Sequence, residues 1–243
     1  MRYLVVSDVH SNFPALQSVL MDAPDHDEVL CLGDLVGYGP NPNECVDRVR
    51  DLALTCIAGN HDWGAIGQAD LSVFNRDARR ALIWTQNQMA PSVRSFLGGL
   101  EPRLDMEGPL LLSHGSPRDP IWEYMVDVGT ATANFRRFDF QIGLVGHSHV
   151  PTIFAMPEPN ARARILSADL DEPLDLAGRR LILNPGSVGQ PRDSDPRASY
   201  AMLDTDAMTW TFRRVEYPVE ITQERMRAAG LPVRLINRLS MGR

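Results

Sequence analysis

Apolar residues in the first half of the chain come in short runs bounded by turn residues, with helically spaced stretches between them. Tyr3 to Val6, Glu28 to Cys31 and Leu54 to Ile57 read as buried strands, because near-continuous apolar runs of that length suit a sheet covered on both faces. Between them, Asn12 to Leu20 and Asn43 to Arg50 read as helices, the first with Asn12 as N-cap and Pro14 in its opening turn. This β-α-β-α-β rhythm predicts parallel pairing through right-handed crossovers. Asn75 to Met89 is a longer helical segment that stops near Pro91. Leu110 to Ser113 and Gln141 to Val145 are two more buried strands.

The pattern changes after Pro151. Arg162 to Ser167, Arg180 to Leu183, Ser199 to Leu203 and Thr209 to Tyr217 are short extended runs separated by turn residues, which predicts a second, mostly antiparallel sheet. A helical pair, Glu220 to Ala229 and Val233 to Leu239, is split by Gly230 and Pro232. Met156 to Asn160 reads as a turn-rich loop. The expectation is a single domain over residues 1–243, with two sheets packed face to face and helices outside.

Composition narrows the classes. With 44% hydrophobic and 23% charged residues, the chain can bury a sizeable core. A formal charge of -7 gives no general electrostatic reason to bind nucleic acid. Cys31, Cys45 and Cys56 form no C-x-x-C and no even-numbered framework, so they read as reduced thiols of a cytoplasmic protein. The N-terminus enters a strand at once, without a signal-peptide core, and no apolar run is long enough to span a bilayer. The expected partner is a small substrate rather than a membrane.

Residues of metal-ligand type recur at one kind of place, just after a strand. Asp8 and His10 follow the first strand, Asp34 the second, and Asn60, His61 and Asp62 the third. His114 follows the fourth, and His147 with His149 the fifth. Each could be structural alone: Asp8 a helix cap, Asn60 an Asx turn, His114 a satisfied core histidine. Five such coincidences where a parallel sheet gathers its strand ends point instead to a site. In an extended segment, His147 and His149 would face the same way. Nitrogen and oxygen donors without a thiolate suit Mn, Fe or Zn as divalent ions. Seven donors exceed what one tetrahedral ion needs, so two ions sharing a carboxylate is the economical solution, and two ions about 3.5–4 Å apart serve in-line displacement at phosphorus.

The ordered series D-x-H (Asp8, His10), G-D (Gly33-Asp34), G-N-H-D (Gly59 to Asp62), His114 and G-H-x-H (Gly146 to His149) resembles that of calcineurin-like metallophosphoesterases. The flanking text Gly33 to Glu44, the segment Asn184 to Arg192 and the Gly230-Leu231-Pro232 helix pair are similar to a bacterial, phosphodiesterase-type branch of that family. The resemblance implies a four-layer α/β/β/α sandwich. It further implies that Asp8, His10, Asp34 and His149 hold one metal and that Asp34, Asn60, His114 and His147 hold the other, with Asp34 bridging. It implies two divalent ions, Mn first among them, and a metal-bridging hydroxide attacking phosphorus. His61 would assist the leaving group, and Ser148 would point away into structure.

The chain departs from the family pattern at two positions. Where protein phosphatases and diadenosine tetraphosphatases of the family usually carry an arginine, this chain has Tyr38. Where protein phosphatases have an aspartate supporting the histidine, it has Gly37. Arg192 is the candidate replacement for phosphate contact, against a plain surface arginine. Trp122 and Tyr124 read as packing, with an entrance-lining role as the other possibility. The leading expectation is a phosphodiesterase acting on a small phosphoester. A nucleotide pyrophosphatase or protein phosphatase of the same superfamily is the alternative, and a non-catalytic metal-binding scaffold would predict lost ligands where all are filled.

Overall fold

The computed structural model describes residues 1–106, 108, 110–159 and 161–243. In chain order it contains β1 (Arg2–Val6), α1 (Phe13–Asp22), β2 (Glu28–Cys31), α2 (Pro42–Arg50), β3 (Leu54–Cys56), α3 (Asn60–Ile66), a 3-10 turn (Leu71–Val73), α4 (Arg76–Gln88) and α5 (Pro91–Gly98). There follow β4 (Arg103–Asp105), β5 (Leu110–Ser113), α6 (Val128–Arg137), β6 (Ile142–Val145), β7 (Thr152–Met156), β8 (Arg164–Leu166), β9 (Leu174–Asp175) and β10 (Arg180–Asn184). The chain continues with β11 (Ala198–Asp204), β12 (Thr209–Val215), α7 (Val219–Ala228) and α8 (Val233–Leu239). Of the loop expected over Met156 to Asn160, Asn160 lies outside the described residues.

The strands form two six-stranded mixed sheets, ordered β3-β2-β1-β11-β12-β9 and β4-β5-β6-β10-β7-β8. The expected parallel unit is present: β1 pairs with β2 and β2 with β3, Cys31 lying opposite Cys56. The later strands do not form a sheet of their own. β11 runs antiparallel along the free edge of β1, pairing Arg2 with Asp204 and Val5 with Ala201, whereas β10 joins β6 in the second sheet. The physical reason is that β1 is buried on both faces and needs partners on both edges, and hydropathy marks strands without marking neighbours.

Alternation within each strand assigns the layers. Tyr3 and Val5 of β1 pack with Leu30, Leu110, Leu112, Leu144, Leu181 and Leu183 between the sheets. Leu4 and Val6 point the other way, into a core that they share with Leu16 of α1, Leu82 of α4, Val93 of α5 and Leu235 of α8. On the far face of the second sheet, Leu111 and Ile182 pack against Phe135 of α6. Helices, sheet, sheet and helix therefore follow one another as four layers, each buried leucine contributing about 1.5–3 kcal/mol relative to exposure.

Local chemistry sets several boundaries. The Asn12 side chain caps α1 by accepting from the Ala15 amide (3.3 Å). Pro91 does not merely end a helix. It opens α5, where its missing N–H is one that a first turn leaves unpaired anyway. The apolar pattern does not predict β7, which Pro151 and Pro157 bracket as turn signals. Nor does it predict α6, which Asp127 caps by accepting from the Gly129 and Thr130 amides (2.7 and 3.0 Å). No helix among the described residues is long and apolar enough to cross a membrane.

Candidate metal centre

The carboxyl ends of β1, β2 and β3 in one sheet and of β5 and β6 in the other meet at one edge of the sandwich. All eight residues singled out there are buried: Asp8, His10, Asp34, Asn60, His61, His114, His147 and His149. The cross-sheet join is direct, since the His147 amide donates to Asp8 Oδ2 (3.1 Å). The strand ends are correspondingly constrained. Asp8, His10, Asp34, His147 and His149 have φ of 53°, 50°, 55°, 65° and 61°, a left-handed conformation costing on the order of 1–3 kcal/mol for each non-glycine residue. His147 and His149 are thus not two teeth of an extended strand. The turn between them sends each to a different group, while Ser148 accepts from Asn184 Nδ2 (3.0 Å) on the side of the protein body.

Two groups of side chains result. Asp8, His10 and His149 converge, as do Asp34, His114 and His147. Asn60 joins the second group through its Oδ1, 3.1 Å from His114 Nε2. Asp34 Oδ2 lies between the groups, 3.6 Å from His10 Nε2 and 3.4 Å from His114 Nε2.

Hydrogen bonding fixes what these rings present. Nδ1 of His10 faces the Val36 carbonyl (3.2 Å), that of His114 the Leu32 carbonyl (2.8 Å) and that of His149 the Gln190 carbonyl (2.7 Å). A carbonyl only accepts, so in each neutral ring Nδ1 holds the hydrogen and Nε2 offers a lone pair. The Nε2 lone pairs of His10 and His149 then face each other at 3.1 Å, with Asp8 Oδ1 3.2 Å from the latter. Asp8 Oδ1 and Asp34 Oδ2 are buried without a hydrogen-bond donor. Acceptors turned on acceptors in a dry site repel unless a cation lies among them. The donor set and its orphaned oxygens therefore fit divalent metal ions.

His61 stands beside this set, its ring 4.8 Å from that of His10 and 4.3 Å from that of Tyr38. It also forms a third group with His10 and Asp34. Its Nδ1 is buried without a partner. Asp62 does not reach it. That carboxylate instead accepts the amides of Asp34 (2.8 Å), Gly59 (2.9 Å) and Val36 (3.1 Å), stapling the ends of β2 and β3 together. Gly37, at φ 91°, leaves room for His61, because a Cβ there would sit 2.5 Å from Nδ1. The absent aspartate could not have been accommodated without moving the ring.

Arg192 is half-buried beside the centre. Its guanidinium lies 5.9 Å from the Tyr38 ring centroid, and a terminal nitrogen contacts the Tyr38 hydroxyl (3.4 Å) and Gln190 Oε1 (3.1 Å). A cation is thus delivered to the Tyr38 position from a distant loop. Arg118 lies elsewhere, paired with Glu123. The sequence places Tyr38 at a phosphate-contacting position of the family, but it gives no sign of Gln190, because a main-chain carbonyl leaves no residue signature.

The chain matches a family model described as the calcineurin-like phosphoesterase superfamily domain over residues 1–208. It belongs to that superfamily. It is accordingly a metal-dependent phosphoric ester hydrolase with the two-sheet fold described above. It is 37% identical to an uncharacterized protein of Methanocaldococcus jannaschii over 246 residues, covering 98% of this chain and 97% of that one. The crystal structure of a metallophosphoesterase from Sphaerobacter thermophilus superposes with a TM-score of 0.90 at 45% identity, covering 100% of this chain and 99% of that chain. A hypothetical protein from Pyrococcus horikoshii shares the fold, with a TM-score of 0.79 at 20% identity, covering 100% and 98%.

Packing this many ionisable groups together shifts them apart. Burial holds His61 down at about 4 and His147 at about 3, and burial also lowers His10 and His149. Burial works against charge on His114 too, but Asp34 and Asp8 lift it to about 10. Burial opposes ionisation of Asp8 and Asp34, yet the imidazoles around them hold both carboxyls well below the usual range. Burial and the Asp34 charge raise Asp62 to about 7, against its backbone donors.

These shifts predict how chelator-treated protein responds to acid. Below pH 6.5 the unfolded chain protonates histidines that the folded chain keeps neutral, so each of the four lowered histidines destabilises the fold as pH falls. Across that window His114 is already protonated in the folded chain and only finishing its protonation in the unfolded one, so it pulls weakly the other way together with Asp62. Four lowered histidines outweigh these two. The melting temperature of the metal-free protein should fall by several degrees between pH 6.5 and 5, and a flat or rising profile would contradict this charge assignment.

Proposed function

We propose that the chain hydrolyses phosphoric diesters using two divalent cations. Asp8, His10, Asp34 and His149 would hold one, and Asp34, Asn60, His114 and His147 the other. The observation that carries this reading is the opposition of lone pairs: His10 Nε2 against His149 Nε2 at 3.1 Å, beside carboxylate oxygens that no donor satisfies. Oxygen and nitrogen donors without thiolate favour Mn, with Fe and Zn compatible. When bound, two such ions supply Lewis acidity, bringing the ionisation of water near neutral pH and offsetting charge on the phosphoryl oxygens.

The residues of the chain do the remaining work. Val36, Leu32 and Gln190 hold three rings in the ligating tautomer, and Asp62 keeps the Asp34 and Asn60 turns in register. His61 stands where it can give a proton to the departing oxygen or stabilise charge there. Its depressed pKa rises when a phosphoester anion replaces water beside it, because a nearby negative charge favours the imidazolium. Arg192, already engaged with Tyr38 and Gln190, offers one guanidinium to the phosphoryl group. A single cation suits a diester monoanion better than a monoester dianion.

Three measurements test this reading. Metal analysis of active protein should find two divalent ions per chain, stripped by chelator together with activity and best restored by Mn²⁺. Asp34→Asn should weaken both sites at once, and a stoichiometry of one would end the two-ion scheme. An aryl phosphodiester should be turned over with higher kcat/KM than the matching monoester, whereas a clear monoester preference would favour the phosphatase alternative. His61→Ala should keep both metals and lose about 10²–10⁴-fold in kcat on an alkyl diester, with a much smaller loss on a p-nitrophenyl diester whose leaving group needs no proton. Loss of metal in that variant would place His61 among the ligands instead.

A further inference from the structure

Two aromatic side chains stand exposed beside a centre whose own residues are buried. Trp122 is 38% and Tyr124 46% exposed. Tyr124 stacks on His147, with ring centroids 3.9 Å apart and planes 24° from parallel. Trp122 meets Phe74 edge-on at 5.5 Å, and Phe74 meets His61 edge-on at 5.1 Å. The two rings therefore connect to the centre at two points, the His147 group and the neighbourhood of His61.

The loop that carries them is tightly held. Between the two aromatics, the Glu123 carboxylate accepts from Ser116 Oγ (2.5 Å) and Asn134 Nδ2 (2.9 Å) and pairs with Arg118. Asp119 Oδ1 accepts the Trp122 amide (3.1 Å), and the Gly115 amide donates to the Pro120 carbonyl (2.7 Å). Gly115, next to His114, permits this closeness, since a Cβ there would lie 2.8 Å from the Asp119 carbonyl and 3.0 Å from that of Glu123. With Glu123 anchored inward, its neighbours on both sides are turned toward solvent. Holding two aromatic rings partly in water forgoes their burial, and a loop fixed by this many hydrogen bonds cannot fold them away. Rigid rings exposed at the rim of a polar centre are the arrangement that stacks a flat ligand at small entropic cost.

We infer that Trp122 and Tyr124 form a platform for a planar aromatic substituent of the phosphoester, an aryl or nucleobase ring, on the side of the centre where His61 meets the leaving group. This specificity element rests on the phosphoesterase reading above and names the substrate class of the same site. A flat ring can stack on an exposed aromatic face, whereas a methyl group offers too little surface and a puckered cyclohexyl ring cannot lie flat.

Phosphonates test the platform without turnover, because their carbon–phosphorus bond is not hydrolysed. Calorimetric binding to the metal-reconstituted protein should rank phenylphosphonate roughly tenfold above cyclohexylphosphonate. Trp122→Ala should abolish that preference while leaving methylphosphonate affinity unchanged. Trp122→Phe, and Tyr124→Phe with its ring still over His147, should retain it. The phosphonate analogues of adenosine 5′-phosphate and ribose 5-phosphate separate the two sources of the ring. A larger gain for adenosine than for phenyl identifies a nucleobase, and a gain confined to phenyl identifies a simple aryl ester. Equal affinity for phenyl and cyclohexyl in the parent, or a preference surviving Trp122→Ala, overturns the platform and leaves the phosphoesterase reading standing. No phosphonate binding by the metal-loaded parent overturns the platform, and hydrolysis of an aryl diester by the same preparation then shows whether the phosphoesterase reading stands.

Discussion

The structure is organised around acceptors that face one another. His10 and His149 each give their only hydrogen to a backbone carbonyl and turn a lone pair inward, where Asp8 Oδ1 and Asp34 Oδ2 already wait without donors. In a buried site no solvent screens that opposition. Much of the surrounding architecture is what it takes to hold such a cluster together until a cation occupies it. His114, lifted to about 10 by Asp34 and Asp8, shows a proton partly performing the role of the cation.

The scaffold meets this demand with strain distributed over strand ends. Five candidate ligands adopt left-handed backbone conformations, and neighbouring loops lock them there. The Asp8 carbonyl accepts from the Gly189 amide (3.0 Å) and Ser187 Oγ (2.8 Å), tying the end of β1 to the loop after β10. The His10 amide donates to the Asp34 carbonyl (2.9 Å), tying the β1 and β2 turns together. The packed cores on either side of each sheet supply the rigidity, because each of these turns begins on a strand whose side chains are packed on both faces.

The wall around the centre is aromatic rather than charged. Tyr38 fills the position of a family arginine and packs against the rings of both His10 and His61. Arg192 reaches the same place from a loop more than a hundred residues later in the chain. Gly37 and Tyr38 together leave His61 without a hydrogen-bonded carboxylate, so its proton affinity is set by burial, which lowers it, against the charge of Asp34, which raises it.

The local signals in the sequence were sufficient for the strands β1, β2, β3, β5 and β6, whose apolar runs end where turn and ligand residues begin. They were also sufficient for the ligand types, because D-x-H, G-D, G-N-H-D and G-H-x-H are chemical statements independent of packing. The family resemblance supplied the pairing of ligands with ions. Hydropathy could not say that β11 would lie along β1 or that β10 would join β6, since a strand buried on both faces reads the same beside any neighbour. Nor could it show that His147 and His149 would part company, because only the positive φ at each turns an i, i+2 pair toward different groups. Arg192 beside Tyr38, the Gln190 carbonyl under His149 and Tyr124 over His147 were decided by tertiary structure alone. Each joins residues that chain spacing keeps apart, and only the packing of loops from both sheets at one edge brings them within contact.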